Sequence, residues 1–448
     1  MLVLYRIFTA ASMFFLAPYY ALRGWRRGEP SQTFRERLGI LSPVLIARAA
    51  HESSAEGGGA ARAIWIHAVS VGEVLAAKPL LDGLKRRFPD CTIFVSTTTE
   101  TGQRLARERL AGADAIFYFP LDWTVSVRRA LNSIRPSLIV IMETEIWPNF
   151  LREASRRGIP VVFVNARISV RSFARFSRWK AVAEVFYEEV LRDATLFLAQ
   201  SPEDARRLTA MGAPEDRVEV TGNLKYDMEQ PLAGRFGEWL GEQARSQERW
   251  PVVVAGSIAA EEEEQIVAAY DIVQRQWRHA LLILAPRKPD RFAPAANIVA
   301  SGGWSVVRRS QLDLRAPLDE NADVILLDSI GELSSLYAFA DAVFVGGSLV
   351  PSGGHNILEP AWFSRPPVFG PSMENFREMA DQFLGARAGV QVNSGAMLGK
   401  VWVQLIEDNA TRERMGRGAR EICERNRGAT GRSVDRIVRL LEPGGGSA

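Results

Sequence analysis

The sequence predicts an α/β protein with two doubly wound, parallel-sheet domains in tandem. Short apolar runs that are typical of strands alternate with longer segments of helical spacing, which is the pattern of parallel sheets covered by helices. A polar, glycine-containing run at residues 223–247 interrupts the alternation, which then starts again. The 448 residues, 47% of them hydrophobic, are enough for two ordinary cores.

The first half of the chain alternates predicted strands with predicted helices. The strands are expected at 63–68, 92–97, 115–119, 138–142, 160–165 and 196–200. The helices are expected at 75–87, 101–110, 125–134, 150–157, 181–191 and 202–211. Ligands of such sheets bind beyond the carboxyl ends of the strands, so functional side chains are sought there.

The second half repeats the same organisation. Strands are expected at 252–255, 281–285, 324–327, 342–345 and 367–370, with a late helix at 411–425. These elements predict an anchor at residues 1–28, an N-terminal domain at 29–225, a linker at 226–248 and a C-terminal domain at 249–448. Two similar halves facing one another across a cleft are the simplest architecture.

The N-terminus predicts contact with a membrane. Residues 1–22 are apolar apart from Arg6, close to the about 20 residues that a spanning helix needs. Positive charge follows this run instead of preceding it, opposite to a secretory signal, which predicts an uncleaved anchor with the bulk of the protein in the cytoplasm. The arginines concerned are Arg23, Arg26, Arg27, Arg35 and Arg37. A helix lying on the membrane surface is the alternative, favoured by Pro18 and the tyrosines that follow it.

The overall charge and the cysteines exclude several classes of function. Lys and Arg number 55 against 52 Asp and Glu, a balance that does not predict a nucleic-acid partner. Cys91 and Cys423 stand in no metal-ligand spacing, so neither a disulfide framework nor a zinc site is expected. A reducing compartment fits this cysteine usage.

A glycine-rich stretch at residues 331–370 predicts a nucleotide-phosphate site. One turn follows a predicted strand, and a second leads through Asn356, a plausible N-cap, into a helix that starts near Ile357. The turn residues are Gly346, Gly347 and Ser348 in the first and Gly353 and Gly354 in the second. Their free N–H groups and the positive end of the helix would face an anion. A plain structural turn is the alternative.

Two charged residues, one within this stretch and one before it, suit the binding of a nucleotide. Glu359 stands in an otherwise apolar helix start, where its carboxylate could accept both ribose hydroxyls; the alternative is an acid placed by the helix dipole. Arg287 ends a strand of the second half and suits a phosphate; the alternative is a surface cluster with Lys288. The run at residues 261–264 is interpreted as a solvated helix start.

Acidic residues at two strand ends of the first half suit acid-base chemistry. Glu73 follows the first strand, where a general base would face the cleft; the alternative is an acid of the first helical turn. Glu143 and Glu145 follow another strand among apolar neighbours, and one of them could instead hold a cap or an arginine. Lys225 could reach an anion across the cleft, or could be a solvated linker residue.

Several motifs recur in order over nearly the full chain. They read HAVSVGE, STTTETG, METEIWPN, NARIS, GNLKYD, APRKPDRF, IGELSSLYAFAD, VFVGGSLVPSGGHNILEPA and FGPSMENF. With the apolar N-terminus, they resemble the bacterial transferases of 3-deoxy-D-manno-octulosonic acid (Kdo). Those are membrane-associated GT-B glycosyltransferases that move Kdo from CMP-Kdo to a lipid A precursor.

The resemblance implies a role for each matching residue. Glu73 would be the general base, and Glu143 and Lys225 would assist at the transition state. The residues implied to contact CMP are Pro286, Arg287, Ile330, Gly331, Glu332, Asn356, Ile357, Leu358 and Glu359. It also implies CMP-Kdo as donor, a lipid A precursor as acceptor, membrane lipid as a partner, and a place on the cytoplasmic face of the inner membrane. The expected transfer is inverting and uses no cofactor and no metal.

Other functions stay open at the level of sequence. A GT-B transferase with a different nucleotide-sugar, such as a UDP-sugar, would share the fold and the phosphate site. A sugar-nucleotide epimerase shares the architecture but needs neither anchor nor acceptor site. A non-catalytic, membrane-tethered binding protein would not need Glu73. Glu36, between two arginines near the membrane, is the alternative general base.

Overall fold

The chain forms two compact units. The computed structural model describes residues 1–13, 31–43, 45–47, 62–178, 180–228 and 234–441. Unit 1 comprises Met1–Met228 together with Asn426–Ala448, and unit 2 comprises Glu229–Arg425. Each unit contains a 7-stranded sheet whose strands all pair in parallel. The predicted fold class, two Rossmann-like parallel-sheet domains, is therefore confirmed.

The sheet of unit 1 has the strand order β3-β2-β1-β4-β5-β6-β7. Its strands are β1 Ala63–His67, β2 Thr92–Thr97, β3 Ala115–Tyr118, β4 Leu138–Met142, β5 Val161–Ala166, β6 Leu196–Ala199 and β7 Val218–Val220. The order reverses between β1 and β4, and such a switch point opens a crevice beyond the strand ends. The segments that follow β1 and β4 therefore lie side by side.

Helices cover both faces of this sheet. They are Ser31–Arg37, Val71–Arg87, Glu100–Arg109, Thr124–Ile134, Pro148–Ser155, Val170–Arg178, Lys180–Leu191, Pro202–Ala210 and Ala429–Leu441, with 3-10 helices at Glu215–Arg217 and Leu224–Asp227. The central strands are apolar and buried on both sides, which explains why they stand out as continuous apolar runs. Two hydrophobic clusters form, one on each face.

The sheet of unit 2 has the strand order β10-β11-β9-β8-β12-β13-β14. Its strands are β8 Val252–Ile258, β9 Leu281–Pro286, β10 Val306–Arg308, β11 Val324–Leu326, β12 Ala342–Val345, β13 Val368–Phe369 and β14 Val390–Gln391. Its helices are Arg235–Ser246, Glu263–Gln274, Phe292–Ser301, Leu333–Leu336, Leu358–Trp362, Arg377–Gly385, Gly395–Glu407 and Asn409–Arg425, with 3-10 helices at Pro289–Arg291, Arg309–Gln311 and Tyr337–Phe339. The switch point lies between β8 and β12.

The division into units differs in two places from the one that the sequence predicts. The C-terminal helix Ala429–Leu441 belongs to unit 1, although it follows unit 2 in the chain. Its buried residues Val434 and Ile437 are part of a core cluster of unit 1. The helix Arg235–Ser246, within the segment expected as a linker, packs into unit 2 through Phe236. Residues 229–233 of that segment lie outside the described residues.

The N-terminal segment forms a helix with two different faces. Residues 2–13 are helical; residues 14–30 of the expected anchor lie outside the described residues. Leu2 is buried, the Tyr5 hydroxyl donates to Asp122 (2.9 Å), and the Arg6 guanidinium donates to Glu153 (2.9 Å). The opposite face exposes more than 60% of each of Val3 (69%), Leu4 (65%), Ile7 (61%) and Phe8 (69%). Within the described ranges, no helix is long and apolar enough to cross a membrane.

Candidate active site

Glu73 lies in the first turn of the helix Val71–Arg87, directly after β1. Its carboxylate accepts the Val69 N–H (2.8 Å) and the Ser70 hydroxyl (2.8 Å). The second contact joins the N-cap to the third helical residue, so Glu73 also helps to begin the helix. Its side chain is buried, with 6% exposed. Both the catalytic and the structural interpretation of Glu73 are therefore compatible with its contacts.

The environment of Glu73 favours the neutral, protonated form of its carboxyl group. Burial and the nearby negative charge of Glu143 raise the pKa of Glu73 to about 7, although its hydrogen bonds from Val69 and Ser70 act in the opposite direction. Glu145 adds a smaller effect of the same sign as Glu143. A carboxylate with a pKa near neutrality is matched to taking a proton at physiological pH. The three acidic residues thus form one electrostatic cluster at the ends of β1 and β4.

Glu143 follows β4 in an unusual backbone conformation. Its φ is 54°, in the left-handed region that residues other than glycine rarely adopt. The Glu143 N–H donates to the Val164 carbonyl (2.9 Å), so the conformation is held by the neighbouring strand β5. Its carboxylate lies 3.9 Å from the Lys225 ammonium. Strained conformations of this kind concentrate at functional sites, where the surrounding structure enforces them.

Lys225 is presented by the 3-10 helix Leu224–Asp227. Its N–H donates to the side chain of Asn223 (3.0 Å), and the Leu224 N–H donates to the side chain of Asn165 (3.0 Å). Only 13% of the Lys225 side chain is exposed. Burial lowers the pKa of Lys225, while the charge of Glu143 opposes this effect. Lys225 is therefore a packed residue of unit 1 and does not match the solvated linker alternative.

The other two acidic candidates of unit 1 differ from Glu73. Glu145 is half-buried, and burial, followed by the charge of Glu143, raises its pKa. Glu36 is buried, with 2% exposed, and its carboxylate accepts the Tyr118 N–H (2.9 Å) at the end of β3. The contact of Glu36 with backbone favours a structural role. Unit 1 thus brings together Glu73, Glu143 and Lys225, and leaves Glu36 at a different strand end.

In unit 2, Arg287 follows β9 and acts on two nearby titratable groups. Burial raises the pKa of Glu359 to about 7, and the charge of Arg287 opposes that shift. Burial, with the charge of Arg287, lowers the pKa of His355 to about 4. Arg287 is exposed, whereas Glu359 and His355 are half-buried. A cation, a carboxyl group and a neutral imidazole therefore lie close together beyond the carboxyl edge of the sheet.

The first glycine turn already has an internal anion. Glu262, fully buried, accepts the N–H groups of Gly347 (2.7 Å), Ser348 (2.9 Å) and Leu349 (2.8 Å), and also that of Ala259 (2.8 Å). The expectation of a solvated acidic run at residues 261–264 is therefore wrong for Glu262. Because a buried N–H must find an acceptor, the turn is satisfied from within the protein.

The N–H groups of the remaining turn glycines are also satisfied within unit 2. Gly346 donates to the Gly256 carbonyl (2.8 Å), Gly353 to the Ser372 hydroxyl (3.0 Å) and Gly354 to the Gly347 carbonyl (2.7 Å). Contrary to the expectation, the glycine turns do not offer free donors to a phosphate in this structure. They build a closed loop that leads to His355 and Asn356.

The helix after this loop is short and starts one residue after Ile357. It spans Leu358–Trp362 with Ile357 at the N-cap position, and the side chain of Asn356, the predicted N-cap, accepts the Leu358 N–H (3.1 Å) from one position earlier. The side chains of Ile357 and Leu358 are in the core, as is that of Pro286, so only their backbones could meet a ligand. The polar groups available at this point are therefore Asn356 and Glu359.

Of the segment from Ile330 to Glu332, Gly331 and Glu332 line a pocket of about 450 Å³ in unit 2. Ile330 is 80% exposed, and Gly331 has a φ of 95° that favours glycine. Glu332 pairs with Arg309 (2.9 Å), whose guanidinium lies 4.4 Å from the centre of the Phe236 ring. Neither Arg309 nor Phe236 stands in a motif, so no feature of the sequence points to them.

Known proteins resemble this chain in sequence and in fold. A family model described as 3-deoxy-D-manno-octulosonic-acid transferase (kdotransferase) matches residues 32–228. The 3-deoxy-D-manno-octulosonic acid transferase of Haemophilus influenzae is 35% identical over 384 residues, covering 85% of this chain and 87% of the relative. That of Bordetella pertussis is 33% identical over 434 residues, covering 94% and 96%.

A solved structure matches mainly in fold. UDP-GlcNAc 2-epimerase from Neisseria meningitidis, bound to UDP-GlcNAc, has a TM-score of 0.55 at 14% identity and covers 84% of this chain and 100% of its own. At that identity the likeness concerns the fold alone, which transferases and epimerases share.

Two Rossmann-like parallel-sheet units, with polar clusters beyond the carboxyl edges of their sheets, define the GT-B fold class, which transferases and epimerases share. Its sequence relatives narrow the class further. The chain belongs to the family of 3-deoxy-D-manno-octulosonic acid transferases. Family membership favours the transferase over the epimerase and the non-catalytic alternatives, which the fold alone did not separate.

Proposed function

We propose that this protein transfers Kdo from CMP-Kdo to a lipid A precursor, with inversion at the anomeric carbon. The observation that carries the proposal is the cluster of Glu73, Glu143 and Lys225 in unit 1, in a chain whose relatives are Kdo transferases. Glu73 takes the proton of the acceptor hydroxyl. The resulting oxygen forms a bond to the anomeric carbon of Kdo, and the bond from that carbon to the CMP phosphate breaks.

Glu143 and Lys225 support this step by their charges. Burial, together with the negative charge of Glu143, raises the pKa of Glu73 to about 7, which makes Glu73 a stronger base than an ordinary carboxylate. The Lys225 ammonium, 3.9 Å from Glu143, limits the repulsion among the carboxylates. It also offers a positive charge to the anionic groups that react.

The donor is assigned to the carboxyl edge of the sheet in unit 2. Arg287 would bind the phosphate of CMP with a charge-assisted contact, and Glu359 would accept the ribose hydroxyls. Asn356 and the backbone around Ile357 line the same place, and the segment from Ile330 to Glu332 would contact the base. The closed glycine loop would act as a support for these groups.

The test is incubation with CMP-Kdo and a tetra-acylated lipid A precursor, followed by mass measurement of the lipid. We expect the lipid to gain Kdo and CMP to be released in equal amounts, with no dependence on added divalent metal. UDP-GlcNAc serves as the control nucleotide-sugar. Transfer from the UDP-sugar, or its epimerisation without an acceptor, would replace the proposal by one of the two alternatives.

Membrane association is proposed to use the exposed face of the N-terminal helix. Its polar side is held on unit 1 by Tyr5 and Arg6, which leaves the apolar side free to enter a lipid surface. With this helix face on a lipid surface, the enzyme would act at the cytoplasmic face of the inner membrane, on an acceptor held in the same surface.

Replacing Val3, Leu4, Ile7 and Phe8 together by serine should therefore weaken binding to anionic vesicles and lower activity on a vesicle-embedded acceptor. Activity on a detergent-dispersed acceptor should stay unchanged, because the docked side of the helix is intact. Val220→Ser, at an exposed apolar residue elsewhere on unit 1, is the control. Equal vesicle binding by both variants would remove the helix from the membrane contact.

A further inference from the structure

Asn165 is a buried residue of β5 with an unusual backbone. It has no exposed surface, and its φ of 59° lies in the left-handed region. The pairing of β5 with β6 shifts register between Val164 and Ala166, at this residue. Outside glycine, asparagine is among the residues that tolerate this conformation best. Strand β5 is therefore irregular at its carboxyl end, beside Glu143.

Asn165 connects β5 to the segment that carries Lys225 through its side chain and through its backbone. Its side-chain oxygen accepts the Leu224 N–H (3.0 Å), and its backbone carbonyl accepts the Gln200 side-chain amide (3.0 Å). The Gln200 oxygen in turn accepts the Asn223 side-chain amide (2.9 Å), whose own oxygen accepts the Lys225 N–H (3.0 Å). The Gln200 and Asn223 side-chain amides thus form a chain of hydrogen bonds that runs from the Asn165 backbone carbonyl to the backbone of Lys225. The Asn165 side chain itself makes the separate contact with Leu224.

The same strand also holds Glu143. The Glu143 N–H donates to the carbonyl of Val164, the residue immediately before Asn165. Two left-handed residues, Glu143 and Asn165, therefore face each other across neighbouring strand ends. In addition, the Asn165 side-chain nitrogen is buried and has no acceptor among the described residues. Burying an amide donor without an acceptor costs stability, so a role in function explains this half of the side chain better than stability does.

We propose that Asn165 is a positioning residue for the transfer reaction. Its side chain holds the Leu224 N–H, and its backbone carbonyl holds the Gln200 and Asn223 amides, so that the 3-10 helix keeps the Lys225 ammonium beside Glu143. The inference rests on the proposed role of Lys225 in Kdo transfer. Asn165 itself touches no substrate, because its side chain is fully buried. Its loss should act on turnover through the placement of Lys225 and leave donor binding in unit 2 untouched.

Asn165→Gly is the most informative variant, because glycine keeps the left-handed backbone and the carbonyl that Gln200 contacts, and removes the side-chain amide that accepts from Leu224. We expect kcat to fall roughly ten- to hundredfold, with an unchanged affinity for CMP. Asn165→Ala removes the acceptor and also strains the backbone, so it should be less stable than Asn165→Gly. Gln274→Ala is the matched control, since Gln274 is a buried, hydrogen-bonded amide of unit 2. It should lower stability without changing kcat.

A double-mutant cycle with Lys225→Ala separates positioning from a general effect on folding. In the Lys225→Ala background, Asn165→Gly should cause little further loss of kcat, because the group that it positions is already absent. A full additional loss in that background, or a normal kcat for Asn165→Gly alone, would overturn the inference. Failure of the wild-type chain to transfer Kdo would instead overturn the proposed function, so the two failures are distinguishable.

Discussion

At the residue scale, Glu73 shows how one carboxylate can serve both the fold and the reaction. Its contacts with Val69 and Ser70 are those of an acid at the start of a helix. Burial and the negative charge of Glu143 nevertheless raise its pKa to about 7. An acid that only began a helix would gain from being charged. The cluster of like charges around Glu73 therefore has a cost to stability that the proposed role as general base would explain.

Glu73→Gln should lower kcat by about 100- to 10,000-fold, because the amide cannot take a proton. In the wild type, kcat should decrease as the pH falls through about 7, where the carboxylate becomes neutral. The raised pKa also means that the contribution of Glu73 to stability is present below its ordinary pKa and is lost as the pH rises through about 7. At pH 8 the Gln variant should therefore have a higher Tm than the wild type.

Glu36→Gln is the comparison for this prediction. Its carboxylate accepts a backbone N–H at the end of β3, so the variant should lose stability and keep most of its turnover. Should Glu36→Gln be inactive while Glu73→Gln turns over normally, the base has been assigned to the wrong carboxylate.

Arg287→Ala should weaken CMP binding by about 1.5–3 kcal/mol, the size of a charge-assisted contact. It should change stability little, since Arg287 is exposed. Without its charge, the pKa values of both Glu359 and His355 should rise, because Arg287 lowers both. Calorimetry with CMP and NMR titration of His355 are the measurements. Lys288→Ala, the exposed neighbouring cation, is the control; an equal loss in both variants would indicate only a diffuse surface charge.

At the scale of elements, the glycine loop after β12 depends on a residue from a different element. Glu262 lies just before the helix Glu263–Gln274, and its carboxylate joins that helix start to three successive amides of the loop. The loop then leads to His355, Asn356 and Glu359. The loop is therefore held by two elements together, and the proposed donor site would depend on both.

Glu262→Gln should destabilise unit 2 by about 1–3 kcal/mol for each N–H that loses its acceptor, because the new amide group brings donors towards donors. It should also weaken CMP binding, since the loop supports that site. Glu263→Gln is the control: Glu263 is equally buried but pairs with Arg291 (2.9 Å) away from the loop. Normal CMP affinity in folded Glu262→Gln protein would show that the loop does not shape the site.

At the scale of the whole molecule, the chain leaves unit 1 after Met228 and returns to it at Asn426. The returning helix Ala429–Leu441 packs against the helix Val71–Arg87, which carries Glu73. Asp227, in the 3-10 helix of Lys225, accepts the Gly428 N–H (2.6 Å). The C-terminal segment therefore stabilises unit 1 although it follows unit 2 in sequence.

Ile437→Ala should consequently destabilise unit 1 by about 2–5 kcal/mol, the usual cost of truncating a buried aliphatic side chain. Hydrogen exchange should increase in the helix Val71–Arg87 and not in the sheet of unit 2, and CMP affinity should be unchanged. Arg439→Ala, at an exposed position of the same helix, is the control. Faster exchange throughout unit 2 instead would contradict the assignment of this helix to unit 1.

Much of the fold could be predicted because buried parallel strands are continuous apolar runs. The runs at 63–68, 138–142 and 342–345 coincide closely with β1, β4 and β12. The strands that were missed, β7, β10 and β14, are short, lie at or near the sheet edges, and are only partly buried. Their sequences therefore lack the apolar signal.

The candidate site also contains residues that the sequence could predict and residues that it could not. Glu73 and Glu143 could be chosen from sequence because each stands directly after an apolar strand, and the fold class places those ends together. The hydrogen-bond partners of buried groups could not be predicted from sequence, because residues far apart in the chain become neighbours only in the folded protein. Glu262 reaches amides 85 to 87 positions away, and Asn165 reaches Leu224 across 59. Hydrogen-bond satisfaction in the interior depends on which backbones meet, and only the tertiary structure decides that.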